Sequence, residues 1–221
     1  LDHSGLLPRL VALGYRGRIF ATTATVDLLG VMLMDSAHIQ EKEAEWALRD
    51  TRSRKMARRA EVAPLYTVEQ ARTSLGRFVP TDYDDWIEPG PGVRCRFRDA
   101  GHILGSAILE IDVGERGHTR RLVASGDIGQ PMRPVLRDPV RIARADYLCV
   151  ESTYGNRAHR SFAATCDELA LALRRTLEVD GGNVIIPAFA VGRTQEVLFV
   201  LADLVRAGRI TRLDVVVDSP M

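Results

Sequence analysis

Cysteine is scarce in this 221-residue chain, and Cys95, Cys149 and Cys166 lie too far apart to make a Cys-x-x-Cys pair. That excludes a thiolate zinc ribbon and a disulfide framework, and a reducing cytoplasm is the expected setting. Net charge is nearly absent: 30 Lys and Arg face 29 Asp and Glu, for a formal +1. No global field therefore demands nucleic acid or membrane, and any basic groove must be local. No apolar run approaches membrane-spanning length, which excludes a spanning helix. There is no internal repeat, no low-complexity segment and no Gly-x-Ser-x-Gly elbow, so a serine hydrolase of that type is a poor reading. Against these absences stands a hydrophobic content of 46%, ample for a core in one large domain or one and a half ordinary ones.

The order of patterns along the chain predicts an α/β protein. A strand is expected at Ile19-Phe20-Ala21, then a Thr-rich turn, a helix from about Val26 and another through "SAHIQEKEAEWALRD". The basic stretch "RDTRSRKMARR" (49–59) reads either as a solvated helix end or loop or as a phosphate-contacting arm. "VRCRFRD" (93–99) alternates apolar residues with arginine, the period of a half-buried strand, and "AILEIDV" (107–113) reads as its neighbour. "RRLVASGD" and "ADYLCVES" each look like a buried strand ending in polar residues. After Gly155 the period changes. Phe162, Cys166, Leu169, Leu173 and Leu177 recur at helical spacing, and Gly181-Gly182 stop that helix. "NVIIPAFA" and "LDVVVDS" read as buried strands flanking a second amphipathic helix that Gly208 ends, which makes a β-α-β unit.

Several chemically capable side chains sit at strand ends or in Gly-flanked turns: Asp2 and His3 in "DHSG", His102 in "DAGHILGSA", Asp127 in "SGDIG" and Glu151 in "ESTYG". Small neighbours let backbone and side chain approach a ligand closely. Imidazole and carboxylate together suit zinc or manganese in a site open to water. Taken singly, such a residue in a turn is more often structural than a ligand; joint placement at strand ends favours a site, and spacing alone does not decide.

The motifs "DHSGLLPRL", "DAGHILGSA", "SGDIG", "ESTYGNRAH" and "PAFAVGRTQE", in this order, resemble the metallo-β-lactamase superfamily and specifically its β-CASP branch of RNA-processing nucleases. The resemblance covers essentially the whole chain. It implies an αββα metallo-β-lactamase domain over residues 1–155 and the first β-α-β portion of an inserted β-CASP domain over residues 156–221. It also implies a cofactor of two Zn²⁺ ions, RNA as partner in a cleft between the domains, and phosphodiester hydrolysis, endonucleolytic or 5′-exonucleolytic. A homodimer or membership of a processing complex is a further expectation, and no membrane partner is expected.

Within that resemblance, Asp2 and His3 match the last two positions of a His-x-His-x-Asp-His signature that serves one metal, and Asp2 would also orient the nucleophilic water. His102 matches a ligand of the other metal, Asp127 the bridging carboxylate, and Glu151 the acid that supports a catalytic histidine further on. The first two histidines of the signature and the later histidines are not among these residues. Both ends are accordingly expected to be cut, and the chain alone is expected to bind metal weakly and cleave little.

His159 is expected to line the substrate cleft, with local packing as the plainer alternative, and Arg193 beside Gly192 to contact an RNA phosphate or merely stabilise a helix start together with Gln195. His38 reads as structural and His118 as a surface turn residue. Two other functions are weighed: a non-catalytic RNA-binding or scaffold homologue, which ought to have lost ligand residues, and a metallo-hydrolase of a small ester, which ought to lack "ESTYG" and "GRTQE".

Overall fold

The computed structural model describes residues 3–49, 63–115 and 117–219. The basic stretch beyond Arg49 and the candidate ligand Asp2 lie outside the described residues. The chain divides into two compact units, one running up to Asp82 and the other spanning Tyr83–Ser219. No described helix is long and apolar enough to cross a membrane.

In the first unit, Pro8 sits in the opening turn of α1 (Leu7–Ala12), where its missing N–H costs nothing. Strand β1 (Ile19–Thr22) pairs in parallel with β2 (Phe78–Thr81), from Ile19 opposite Phe78 to Thr22 opposite Thr81. Between them α2 (Thr23–Arg49) is one continuous helix of 27 residues rather than a turn and two helices. The Thr-rich stretch is its start: Thr22 Oγ1 accepts the N–H of Thr25 at 3.2 Å. Nothing later interrupts it, because the span has no proline and its one central glycine, Gly30, costs only about 1 kcal/mol. Leu29, Leu33 and Ala37 recur every four residues on one face and pack on Tyr66 and Ala71. Helix α3 (Val68–Leu75) begins with a reciprocal capping box between Thr67 and Gln70. The buried Tyr66 hydroxyl donates to Ser36 Oγ at 3.0 Å, fixing the approach of α3 to α2.

The second unit is built on a five-stranded sheet, β3 (Ile87–Gly90), β4 (Val93–Asp99), β5 (Ala107–Glu115), β6 (His118–Ala124) and β7 (Tyr147–Cys149), in that spatial order. The pairs are antiparallel except β6–β7, which is parallel. Both expected middle strands and their pairing are present. One face carries an ionic row instead of a core: Asp112, buried, lies between Arg94 and Arg121, and buried Glu110 pairs with Arg96 at 2.6 Å. Trp86 lies under the guanidinium groups of Arg94, Arg96 and Arg121 at 4.3, 4.6 and 5.7 Å from the ring centroid. The hydrogen bond from Arg121 holds the Asp112 carboxyl below the usual carboxylate range, against the opposing effect of burial.

Strand β7 is not buried as its composition suggests; Tyr147, Leu148 and Cys149 are all exposed. Helix α4 (Phe162–Arg174) runs on through a π-helical turn, Arg175–Val179, to Gly181-Gly182, as the helical spacing requires. It packs on α5 (Arg193–Arg206) around Ala170, Leu173, Val200, Leu201, Leu204 and Ile210.

The two strands expected around α5 are the main departure. Residues 183–190 and 213–218 join no ladder among the described residues. Val184 and Leu213 pack against the α4–α5 core, but Ile185, Phe189 and Val216 stand 90%, 86% and 89% exposed. Apolar runs of this length signal burial, yet a strand also needs a neighbour to receive its N–H and C=O groups. Composition reports the first requirement and says nothing about the second.

Candidate functional site

Two loops meet at the ends of β4 and β6. The first, between Asp99 and Ser106, is wound tightly. Asp99 Oδ1 accepts the N–H of Gly101 at 2.8 Å, and Ser106 Oγ accepts the N–H groups of His102 and Ile103 at 3.0 and 3.2 Å. Gly101 takes a φ of +62°, the left-handed region that glycine tolerates. The second loop follows Ala124 through Ser125, Gly126 and Asp127 to Gly129. Its Gly129 N–H donates to the Ala100 carbonyl at 2.8 Å. A Cβ at Gly129 would stand 1.7 Å from the Gly101 carbonyl oxygen, so the two backbones touch where only glycine fits.

That contact brings together two of the expected residues. His102 Nε2 lies 3.8 Å from Asp127 Oδ2, with the two side chains 41% and 45% exposed. An imidazole and a carboxylate converging at an open surface are a donor pair suited to a divalent ion. Among the described residues, no three His, Cys, Asp or Glu side chains form a metal-holding group. His3 is exposed in the first unit, whereas His102, Asp127 and Glu151 belong to the second.

Glu151 is brought to the same loop in another way. Its Oε1 accepts the N–H of Ile128, the residue after Asp127, at 2.6 Å. Its own N–H donates to Ser125 Oγ at 3.1 Å, and Ser125 is buried. Glu151 is therefore tied to residues on either side of Asp127, to the Ile128 backbone and to the Ser125 hydroxyl.

The N-terminus of α5 reaches this neighbourhood too. Gly192, at φ +87°, would place a Cβ 2.9 Å from Ile103 Cγ2, next to His102. Gln195 accepts the Gly192 N–H at 2.7 Å and donates to the Ala190 carbonyl at 3.0 Å, closing the turn. Arg193 pairs with Glu196 within the helix. Glu196 also receives Arg133 at 3.2 Å, and Arg133 lies 5.1 Å from the Phe162 ring. Arg133 thus links the loop after Gly129 to α4 and α5, a role that nothing in its sequence neighbourhood announces.

His159 lies on the exposed loop after Glu151, its ring 4.6 Å from that of Tyr154 in an edge-on arrangement. Arg157 covers the Tyr154 ring at 4.6 Å. The run Tyr-Gly-Asn-Arg-Ala-His has no periodicity that would mark these three as neighbours; the turns at 153–157 create the cluster. His38 is exposed on α2 and His118 exposed at the start of β6.

The chain is similar to a ribonuclease. Over 221 residues it is 37% identical to Ribonuclease TTHA0252 of Thermus thermophilus, an alignment covering all of this chain and 44% of that protein. It is 32% identical over 230 residues to the transcription termination factor FttA of Methanothermobacter thermautotrophicus and 34% identical over 224 residues to FttA of Methanosarcina mazei. Each of these two alignments covers 99% of this chain and 32% of the relative. The chain spans less than half the length of these curated relatives. No family model matches it.

Proposed function

We propose that this chain carries part of the active site of a zinc-dependent hydrolase that cleaves RNA phosphodiester bonds. The observation that carries the reading is the approach of His102 to Asp127 on two loops locked together at Gly129. Similarity along the whole chain to a protein named ribonuclease supports RNA as the substrate. The αββα arrangement, the boundary near residue 155, the involvement of Asp2 and His3 and a cytoplasmic setting belong to the same proposal.

His102 and Asp127 would supply nitrogen and oxygen donors to hold zinc. When bound, such ions would supply Lewis-acid activation of water for attack on a phosphodiester. The residues of this chain do the remaining work. Ser106 Oγ orients the His102 loop by taking two of its N–H groups, and Glu151 fixes the backbone beside Asp127. Asp2 would orient the attacking water, and Arg157 and His159 would line the path of the RNA.

Hydrolysis of a labelled single-stranded RNA with added Zn²⁺, by a full-length protein that carries this chain, tests the reading, since these 221 residues alone are expected to cleave little. Cleavage that a chelator stops, and that falls at least about 100-fold in His102→Ala and Asp127→Ala, is the expected result. RNA that is bound and left intact under all metal conditions assigns the chain to the non-catalytic reading. Cleavage of a chromogenic phosphodiester with no action on RNA assigns it to a small-ester hydrolase.

A further inference from the structure

We propose that Tyr154, Arg157 and His159 form a stacking platform for one unpaired nucleotide of single-stranded RNA. This deepens the preceding reading and rests on it. Tyr154 is 47% exposed, and every residue from Ser152 to Ser161 is exposed, so the aromatic cluster contributes little to a core. The Tyr154 ring is flanked by a guanidinium 4.6 Å from its centroid and by an imidazole whose ring centroid is at the same distance. Neighbours that restrict the ring lower the rotamer cost of stacking a base on it.

The loop beneath is fixed as well. Gly155 N–H donates to the Ser152 carbonyl at 3.0 Å and Arg157 N–H to the Tyr154 carbonyl at 3.2 Å. The root of the loop is Glu151, tied to Ser125 and Ile128. The platform therefore stands three residues from the carboxylate that braces the Asp127 loop.

Charge distinguishes Arg157 from its neighbours. Arg160 pairs with Glu168, and Arg193 and Arg133 both pair with Glu196. Among the described residues Arg157 has no carboxylate within ion-pair distance, and its contact is the tyrosine ring. An uncommitted guanidinium beside exposed rings matches the chemistry of a single-stranded nucleotide, with the base on the rings and the phosphate on the cation. Stacking on an aromatic ring tolerates every base, so the platform is expected to accept any of them.

The test is equilibrium binding of the protein to a fluorescein-labelled single-stranded oligoribonucleotide in chelator, so that nothing is cut. The same series is repeated with single abasic substitutions along the oligonucleotide. Tyr154→Ala is expected to weaken binding by roughly 5- to 150-fold, the span of a lost base–aromatic stack. Tyr154→Phe keeps the ring and is expected to bind like the parent; Arg157→Ala is expected to reduce the salt dependence by about one phosphate contact. One abasic position should weaken the parent and leave Tyr154→Ala unaffected. The proposal is overturned if Tyr154→Ala binds as tightly as the parent, or is weakened equally on intact and on every abasic RNA. A parent that binds no RNA overturns this proposal and the functional reading together. A parent that binds and cuts RNA while Tyr154→Ala binds unchanged overturns this one alone. Since Tyr154 is exposed, far-ultraviolet circular dichroism should be the same for all variants.

Discussion

The Glu151 carboxylate accepts the N–H of Ile128 at 2.6 Å, so an acid at the end of β7 holds the residue that follows Asp127. Two roles for Glu151 then separate. Glu151→Gln keeps an oxygen that can accept this bond, and Zn²⁺ affinity should stay within a few-fold of the parent (roughly 1 kcal/mol). Glu151→Ala leaves the N–H without its acceptor and should lower Zn²⁺ affinity about 10- to 100-fold, as removal of a ligand's supporting partner does. Competition with a chromophoric chelator measures both. Equal loss in the two variants would show that the negative charge matters and the hydrogen bond does not.

Gly129 decides whether the two site loops can touch. Gly129→Ala puts a methyl against the Gly101 carbonyl oxygen, where 1.7 Å is available. The loops must separate, at a cost of about 1–3 kcal/mol or more in stability. Zn²⁺ binding should fall with it, because the approach of His102 to Asp127 depends on that contact. Gly117→Ala provides the contrast: it has open space around it and carries only the strain of its φ of +80°. Urea unfolding and metal titration of the two variants make the comparison.

Acid should destabilise the second unit through Asp112. Its carboxyl is held below its ordinary pKa, first by the Arg121 hydrogen bond. A depressed carboxylate stabilises the fold above the unfolded value near ~3.9, and the contribution is lost as pH falls through that value toward the folded one. Unfolding free energy should therefore drop steeply below about pH 4 in the parent and less steeply in Asp112→Asn. At pH 7 the same substitution should cost about 1–3 kcal/mol, because Arg121 and Arg94 exchange a charged partner for a neutral amide. Denaturation curves at pH 7, 4.5 and 3 give all three quantities.

The unpaired apolar segments make a sharp contrast with the helical core. Ile185→Ser and Val216→Ser remove side chains that stand in solvent, and each should change stability by under about 0.5 kcal/mol. Leu204→Ala, between α4 and α5, should cost about 2–5 kcal/mol. A cost above ~2 kcal/mol for Val216→Ser would mean that this segment is buried as a strand, as its composition alone suggests.

Legibility followed the range of the interactions. Helices α4 and α5 and strands β4 and β5 could be read from the chain because local periodicity and glycine stops determine them. Val26 as a helix start misplaced the boundary, since Thr22 looks like a turn residue until its hydroxyl is found capping the next turn. Residues 183–190 and 213–218 failed for a different reason: pairing depends on a neighbour that no local pattern encodes. The candidate site divided along the same line. The chemistry of His102, Asp127 and Glu151 was visible in their motifs. That Glu151 grips Ile128, that Arg133 reaches Glu196 and that Tyr154 meets His159 are products of loops folding back, with no periodic trace.

The chain has two tryptophans, Trp46 in the first unit and Trp86 in the second. Trp46 is 78% exposed on α2, whereas Trp86 is 37% exposed and lies against the guanidinium groups of Arg94 and Arg96. Their emission should differ in colour and in quenching by iodide or acrylamide. Replacing either one by phenylalanine leaves an optical reporter for a single unit, and melting followed at the two wavelengths would reveal whether the halves come apart in one step or two.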